Sequence, residues 1–195
     1  WNVEYCNEDI KDVYHELFDE ALKRYNDKQT RKDRKIDDYY EKIRSGKQEK
    51  LFHEVIIQIG DKDNMGSETV EGQLAAKVLD EYMKGFQERN PTLRVFAAHL
   101  HLDEATPHLH IDFIPYVTGS KRGLDTRVSL KQALSVLGFK GGTRMETELN
   151  QWVAAEKEQL ASIMLEHGIE WEQKGTHEKH LSLLDFEKQE RAKEV

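Results

Sequence analysis

Apolar residues recur at helical spacing from Ile10 to Tyr25, through Val13, Tyr14, Leu17, Phe18, Ala21 and Leu22. The spacing predicts an amphipathic helix with Asn7 as its N-cap. Ile36, Tyr39, Tyr40 and Ile43 mark a shorter helix that Gly46 can end. Residues 51–59 are β-rich and apolar on both alternations, the pattern of an interior strand, until Gly60-Asp61 breaks it. A third helix, capped by Ser67 or Thr69, carries Val70, Leu74, Val78, Tyr82 and Phe86 as its stripe and stops before Asn90-Pro91. Residues 93–102 and 108–117 follow as strands. A short helix is expected over 129–137, and a long one over 145–167 that Gly168 stops.

This order predicts an α+β fold, an antiparallel-rich central sheet flanked by helices. One sheet face receives Leu100, Leu102, Leu109, Ile111 and Phe113 against the helices, and the opposite face stays open to ligands. The main domain is expected to span residues 1–180. Polar, helix-favouring residues 181–195 read as the start of a C-terminal helical extension, through which a homodimer could form beyond Val195.

Composition narrows the class of protein. The chain has 195 residues, 37% of them hydrophobic, enough for one domain. Cys6 is the single cysteine, so no intrachain disulfide forms, and a reducing cytoplasm is expected. No apolar run approaches a bilayer-spanning length, and the amino terminus lacks a basic-then-apolar signal pattern. A formal charge of −8 argues by itself against a phosphate partner, but the charge is unevenly placed. Between residues 118 and 144, Lys121, Arg122, Arg127, Lys131, Lys140 and Arg144 face Asp125 alone. A second basic cluster, Lys28, Arg31, Lys32, Arg34 and Lys35, is interrupted only by Asp33. Each cluster taken in isolation reads equally well as a solvated face.

The densest chemistry lies in two histidine pairs, His99-Leu100-His101 and His108-Leu109-His110, separated by a short turn. Strand side chains alternate between faces, so His99 and His101 share one side, and His108, His110 and Asp112 share one side of the next strand. Paired as a hairpin, these strands bring four imidazoles to one patch. His101, His108 and His110 form the preferred metal triad, which leaves coordination positions free as a catalytic site needs. His99 lies one pleat further from the turn, beside the metal site or against substrate. Asp103 suits a turn-forming role, and Glu104 can orient an imidazole, accept a proton or ligate. Asp112 reads either as a partner of a histidine or as a solvated strand residue. Three nitrogens admit Zn, Mn, Co or Ni, whereas Mg would rely on oxygens of a substrate phosphate. The basic segment behind the second histidine strand makes such a phosphate the economical assumption.

His101-Leu102-Asp103-Glu104-Ala105-Thr106-Pro107-His108-Leu109-His110 resembles the HxDExTPHxH signature of the Mob/Pre (MobV) plasmid mobilisation and recombination relaxases, at every specified position. His108-Leu109-His110 is then similar to the histidine-hydrophobe-histidine core of the HUH endonuclease superfamily. The flanking segments also look like this family, so the resemblance spans most of the chain.

The resemblance implies site- and strand-specific DNA nicking and rejoining at a plasmid transfer origin, through a covalent 5′-phosphate link to the protein. It implies that His101, His108 and His110 hold a divalent metal, with Mn or Mg in function, and that Glu104 positions or deprotonates the nucleophile. It raises Lys121, Arg122, Arg127, Lys140 and Arg144 as contacts to single-stranded or hairpin origin DNA in a bacterial cytoplasm. The family's nucleophile, a histidine in an HNxR motif, is absent, so nicking is expected to need an amino-terminal extension. Tyrosine serves other HUH enzymes. Tyr14, Tyr25, Tyr39 and Tyr40 sit in apolar stripes and read as core, which leaves Tyr5. Trp152 reads as core within its helix, and Trp171 as a possible stacking platform. Two competing readings stand beside this one. They are a three-histidine metallohydrolase of a small molecule, and a DNA-binding module whose structural metal is closed by a fourth ligand such as His99.

Overall fold

Strand β4 (His108–Val117) is the axis of the sheet, because three of the other four strands pair with it directly. In the computed structural model, which describes residues 2–60 and 70–169, the chain runs through β1 (Val3–Asn7), α1 (Ile10–Asp27), α2 (Tyr39–Ser45) and β2 (His53–Gln58). It continues through α3 (Val70–Arg89), β3 (Leu93–His101), β4, β5 (Arg127–Val128), α4 (Leu130–Val136) and α5 (Glu148–Glu166). The spatial order is β1-β3-β4-β2, with β5 on the end of β4, and every pairing is antiparallel. The expected cap at Ser67 or Thr69, Trp171 and the extension over 181–195 lie outside the described residues.

The two faces of the sheet bury different cores. On one face Val55, Ile57, Leu100, Leu109, Ile111 and Phe113 pack under α3, α4 and α5, meeting Val78, Leu79, Tyr82, Phe86, Ala133, Leu134, Trp152 and Leu160. Leu102 joins this core at its margin, as the alternation predicts. On the other face α1 and α2 place Val13, Tyr14, Phe18, Ala21 and Tyr39 against Phe96, Ala97 and Ile114. Full burial of one such side chain contributes about 1.5–3 kcal/mol, so each layer is held by many comparable contacts. A β-bulge between Val95 and Ala97 turns Phe96 and Ala97 together toward α1 and α2.

Several expectations are corrected here. The histidine face is not wholly open, because α1 and α2 cover its far half where Ile114 replaces histidine in the alternation. Residues 3–7 form a strand that the sequence pattern did not announce, and Asn7 ends it. The N-cap of α1 is Asp9, whose carboxylate accepts from the amides of Lys11 and Asp12. β2 lies at the edge of the sheet's main path rather than inside it. Its second apolar alternation has another cause, since Ile56 pairs with His110 on the face that α1 and α2 partly cover. The helix predicted over 145–167 begins at Glu148, capped by the Thr147 hydroxyl, and ends before Gly168 at φ +76. α4 starts on the Ser129 cap as expected.

Candidate metal centre

The β3–β4 hairpin sets His101 opposite His108 and His99 opposite His110. All four rings therefore stand on one face, but they do not form one cluster. The rings of His101, His108 and His110 lie 4.8–5.0 Å apart by centroid, and a ring nitrogen from each falls within 4.8 Å of the others. His99 stands 6.3 Å from His101 and turns toward Glu4 on β1, its Nε2 3.9 Å from that carboxylate. The triad expected from the sequence is thus brought together, with His99 beside it.

Backbone and side-chain partners fix which nitrogens face inward. The Nδ1–H of His108 donates to the carbonyl of Thr106 at 2.9 Å, within the turn. The Nδ1–H of His110 donates to Glu54 Oε1 at 2.9 Å. Both rings then present Nε2 as the lone-pair donor, the arrangement in which a metal-ligating imidazole is held by an outer partner. His101 titrates below its ordinary value because burial, then the His110 and His108 rings, oppose a positive charge there. A neutral ring is what a ligand must be. The donor set therefore suits a divalent ion.

Glu54 was not singled out in the sequence, where it lies inside an apolar strand. The β2–β4 register places it opposite Asp112, with Ile56 opposite His110. Burial raises the Glu54 carboxyl, but hydrogen bonds from His110 and Asp112 outweigh that and keep it below its ordinary value. Asp112 moves the other way, pushed up to about 8 by burial and by the Glu54 charge. The proton sits between the two carboxyls on the Asp112 side. Asp112 therefore reaches the triad through Glu54 rather than touching a ligand, and its Oδ1 is buried with no hydrogen-bond partner.

The turn between the strands carries the exposed carboxylates. Glu104 Oε2 is 3.3 Å from His108 Nε2 while its side chain is 62% exposed, so it faces the triad and solvent at once. Asp103 accepts from the Asn2 side chain at 3.1 Å, and Asn2 Oδ1 takes the amide of Leu102. Its role is thus to tie the turn to the strand beside β3, not to close the turn on itself. His101, Asp103 and Glu104 also offer ligand atoms within 4.8 Å of one another.

The basic candidates divide between two places. Lys121, Arg122 and Arg127 lie around β5, on the side of the sheet that α1 and α2 cover. Lys140 and Arg144 lie in the connection from α4 to α5, elements of the opposite layer. None of the seven tyrosines is placed at the triad. Tyr14 and Tyr39 are buried under α1 and α2, and Tyr25 and Tyr40 pack against them. Tyr82 is buried beneath α5, Tyr116 reaches the carbonyl of Pro91, and Tyr5 donates to Asp80 on α3. Trp152 is core, 1% exposed, as expected.

No curated protein matches this chain. A solved structure, the MobM relaxase domain (MOBV; Mob_Pre) bound to 22 nt of plasmid pMV158 oriT DNA with Mn at pH 5.5, is similar at 23% identity. That likeness covers 96% of this chain and 80% of the other, with a TM-score of 0.46. The sequence profile of Mob_Pre, plasmid recombination enzyme, matches residues 2–188, and with the HxDExTPHxH histidine hairpin inside that span the chain belongs to this family.

Proposed function

We propose that the chain cuts and rejoins one strand of DNA at a plasmid transfer origin, in the bacterial cytoplasm, with His101, His108 and His110 holding a divalent ion. The observation that carries this reading is the pinned triad: three imidazoles on a rigid hairpin, two locked by Nδ1 partners, with the exposed Glu104 carboxylate beside it. A structural site would be closed, whereas a three-ligand site keeps room for a substrate oxygen. The ion, Mn or Mg in function, would polarise the scissile phosphate and offset charge that develops on its non-bridging oxygens. Glu104 is exposed and adjacent to the triad, so it can orient the attacking group and take its proton. The phosphorus gains a bond to the nucleophile as the bond to the 3′ oxygen breaks, and that oxygen leaves as a hydroxyl by taking up the proton that Glu104 received. Reversal rejoins the strand.

The attacking group is not a tyrosine of this chain, given where all seven lie, and the HNxR histidine of the family resemblance is absent. Nicking is therefore proposed to need a nucleophile supplied from outside these residues. Incubation with origin-containing single-stranded DNA and Mn²⁺ tests this on denaturing gels. The chain with an amino-terminal extension should yield a covalent adduct that His108→Ala abolishes, while these residues alone bind DNA without adduct. An adduct formed by these residues alone would overturn the assignment of the nucleophile. Metal binding without any DNA binding would overturn the reading as a whole.

A further inference from the structure

The Glu104 carboxylate approaches a histidine at the nitrogen that carries its lone pair. His108 donates Nδ1–H to the Thr106 carbonyl at 2.9 Å, which leaves Nε2 as the acceptor of the ring. Glu104 Oε2 lies 3.3 Å from that same Nε2. Two lone-pair atoms this close repel unless a positive charge stands between them, a proton or a metal ion. A charge-assisted hydrogen bond would draw them to about 2.7–2.9 Å. Two ligands of one ion stand further apart. With bonds of about 2.1 Å, neighbouring ligand atoms are about 3.0 Å apart around an octahedral ion and about 3.4 Å apart around a tetrahedral one. The observed separation falls between the two.

The rest of the turn supports the same arrangement. His101 offers a ligand atom both to the group it forms with His108 and His110 and to the group it forms with Asp103 and Glu104. Asp103 is anchored to the Asn2 side chain at 3.1 Å, whereas Glu104 is within reach of two of the three imidazoles. Mobility divides the donors as well. His108 and His110 are pinned by Thr106 and Glu54, but Glu104 lies in the turn outside the paired residues of β3 and β4, with its side chain 62% exposed. It can swing away while the imidazoles keep their places. An oxygen donor also suits the donor set to Mn or Mg, which prefer oxygen more than three nitrogens alone provide.

We propose that Glu104 is an exchangeable fourth ligand, which holds a position on the ion while no substrate is bound and yields it to a phosphate oxygen of the DNA. The three imidazoles are the fixed ligands. The inference rests on the reading of the histidine triad as the metal site of a DNA-cutting enzyme, and adds a gate on the base of that reaction. A carboxylate held against a cation takes up a proton poorly. Glu104 becomes available as a base only when a substrate phosphate has taken its place, one anionic oxygen for another.

Water-proton relaxation of protein-bound Mn²⁺, which counts the water molecules on the ion, tests both halves. Without DNA, Glu104→Ala should carry one more water than the parent protein and lower Mn²⁺ affinity at least ~10-fold. Asp103→Asn should match the parent in both. A saturating oligothymidylate of about 30 nucleotides should remove a water from Glu104→Ala and leave the parent count as it was, because in the parent the phosphate replaces the carboxylate. Equal counts in the parent and Glu104→Ala without DNA would overturn the proposal, as would an added water in Asp103→Asn. A parent count that falls with DNA as far as the variant's would overturn the exchange, as would counts that DNA leaves unchanged in both. A parent protein that binds no Mn²⁺ would instead bring down the reading of the triad as a metal site, and this inference with it.

Discussion

Glu54 on β2 accepts the Nδ1–H of His110 on β4 across 2.9 Å, and this bond ties an edge strand to the centre of the metal site. The contact sets the tautomer that leaves Nε2 facing the other two histidines. It also makes the imidazole more basic toward a metal, because the carboxylate stabilises the polarised ring. Glu54→Ala should therefore lower Mn²⁺ affinity by about 10–100-fold, and Glu54→Gln, which keeps an acceptor without the charge, by less. Titration followed by the electron paramagnetic resonance of free Mn²⁺ measures both. Equal affinity in the alanine variant and the parent protein would show that the bond does not hold a ligand.

The separation of His99 from the triad gives a sharper test of ligand identity. Alanine at His101, His108 or His110 removes one of three nitrogens and should lower Mn²⁺ affinity by well over ~100-fold. His99→Ala removes a ring that faces Glu4 and should change affinity by no more than about threefold, as expected of a group outside the ligand set. A His99→Ala loss as large as the others would enlarge the site to four ligands and make it a closed one.

Acidity should act on the site through His101, whose titration is displaced downward by burial and by the neighbouring rings. A lowered value means that this ring stays neutral through its ordinary range near 6.5 and takes a proton only below it. Competition between proton and metal at His101 is thus absent at neutral pH and sets in as pH falls beneath that value, at about tenfold per pH unit for one competing proton. Glu104 and Asp103 pull the same titration upward, so Glu104→Gln should move the acid limb to still lower pH. Mn²⁺ titrations across pH, with the His101 ring followed by NMR in the metal-free protein, read both limbs. A limb that moves upward in Glu104→Gln would contradict the electrostatic assignment.

Legibility followed the range of the interactions. β4 was visible to the residue, and β3 to within one, because each alternates at its histidine end, where the hairpin pairs the two strands. The triad was visible for the same reason: its three members lie within ten residues, on two strands that must pair. β1 was not visible, since Val3–Asn7 is short and carries Glu4 and Asn7, and only pairing with β3 makes it a strand. Glu54 was hidden by a long-range register that no local period encodes. The error over β2 has the same origin, because an apolar second face looks alike whether a neighbouring strand or a covering helix layer explains it. The basic residues read as one segment were divided by the chain itself, which crosses from the α1–α2 side of the sheet to the α4–α5 side between Val128 and Leu134.

Glu156 supplies a prediction about stability that is separate from function. Its buried carboxylate accepts from Tyr82 at 2.6 Å, from Arg89 at 2.9 Å and from Asn90 at 3.2 Å, and Asn90 in turn accepts from the Trp152 indole at 2.9 Å. These bonds join α5 to α3 across the core that supports β4 from behind. Glu156→Ala strands the Arg89 charge and two further donors in a site with little access to water, so unfolding free energy should drop by about 3–5 kcal/mol. Glu156→Gln keeps acceptor capacity at one oxygen and should lose less. The triad lies on the other face of the sheet, so Mn²⁺ affinity measured well below the melting transition should stay at the parent level in both variants. Denaturant titration supplies the first quantity and metal titration the second. Loss of metal affinity in folded Glu156→Gln would show that the α3–α5 layer sets the geometry of the histidine face.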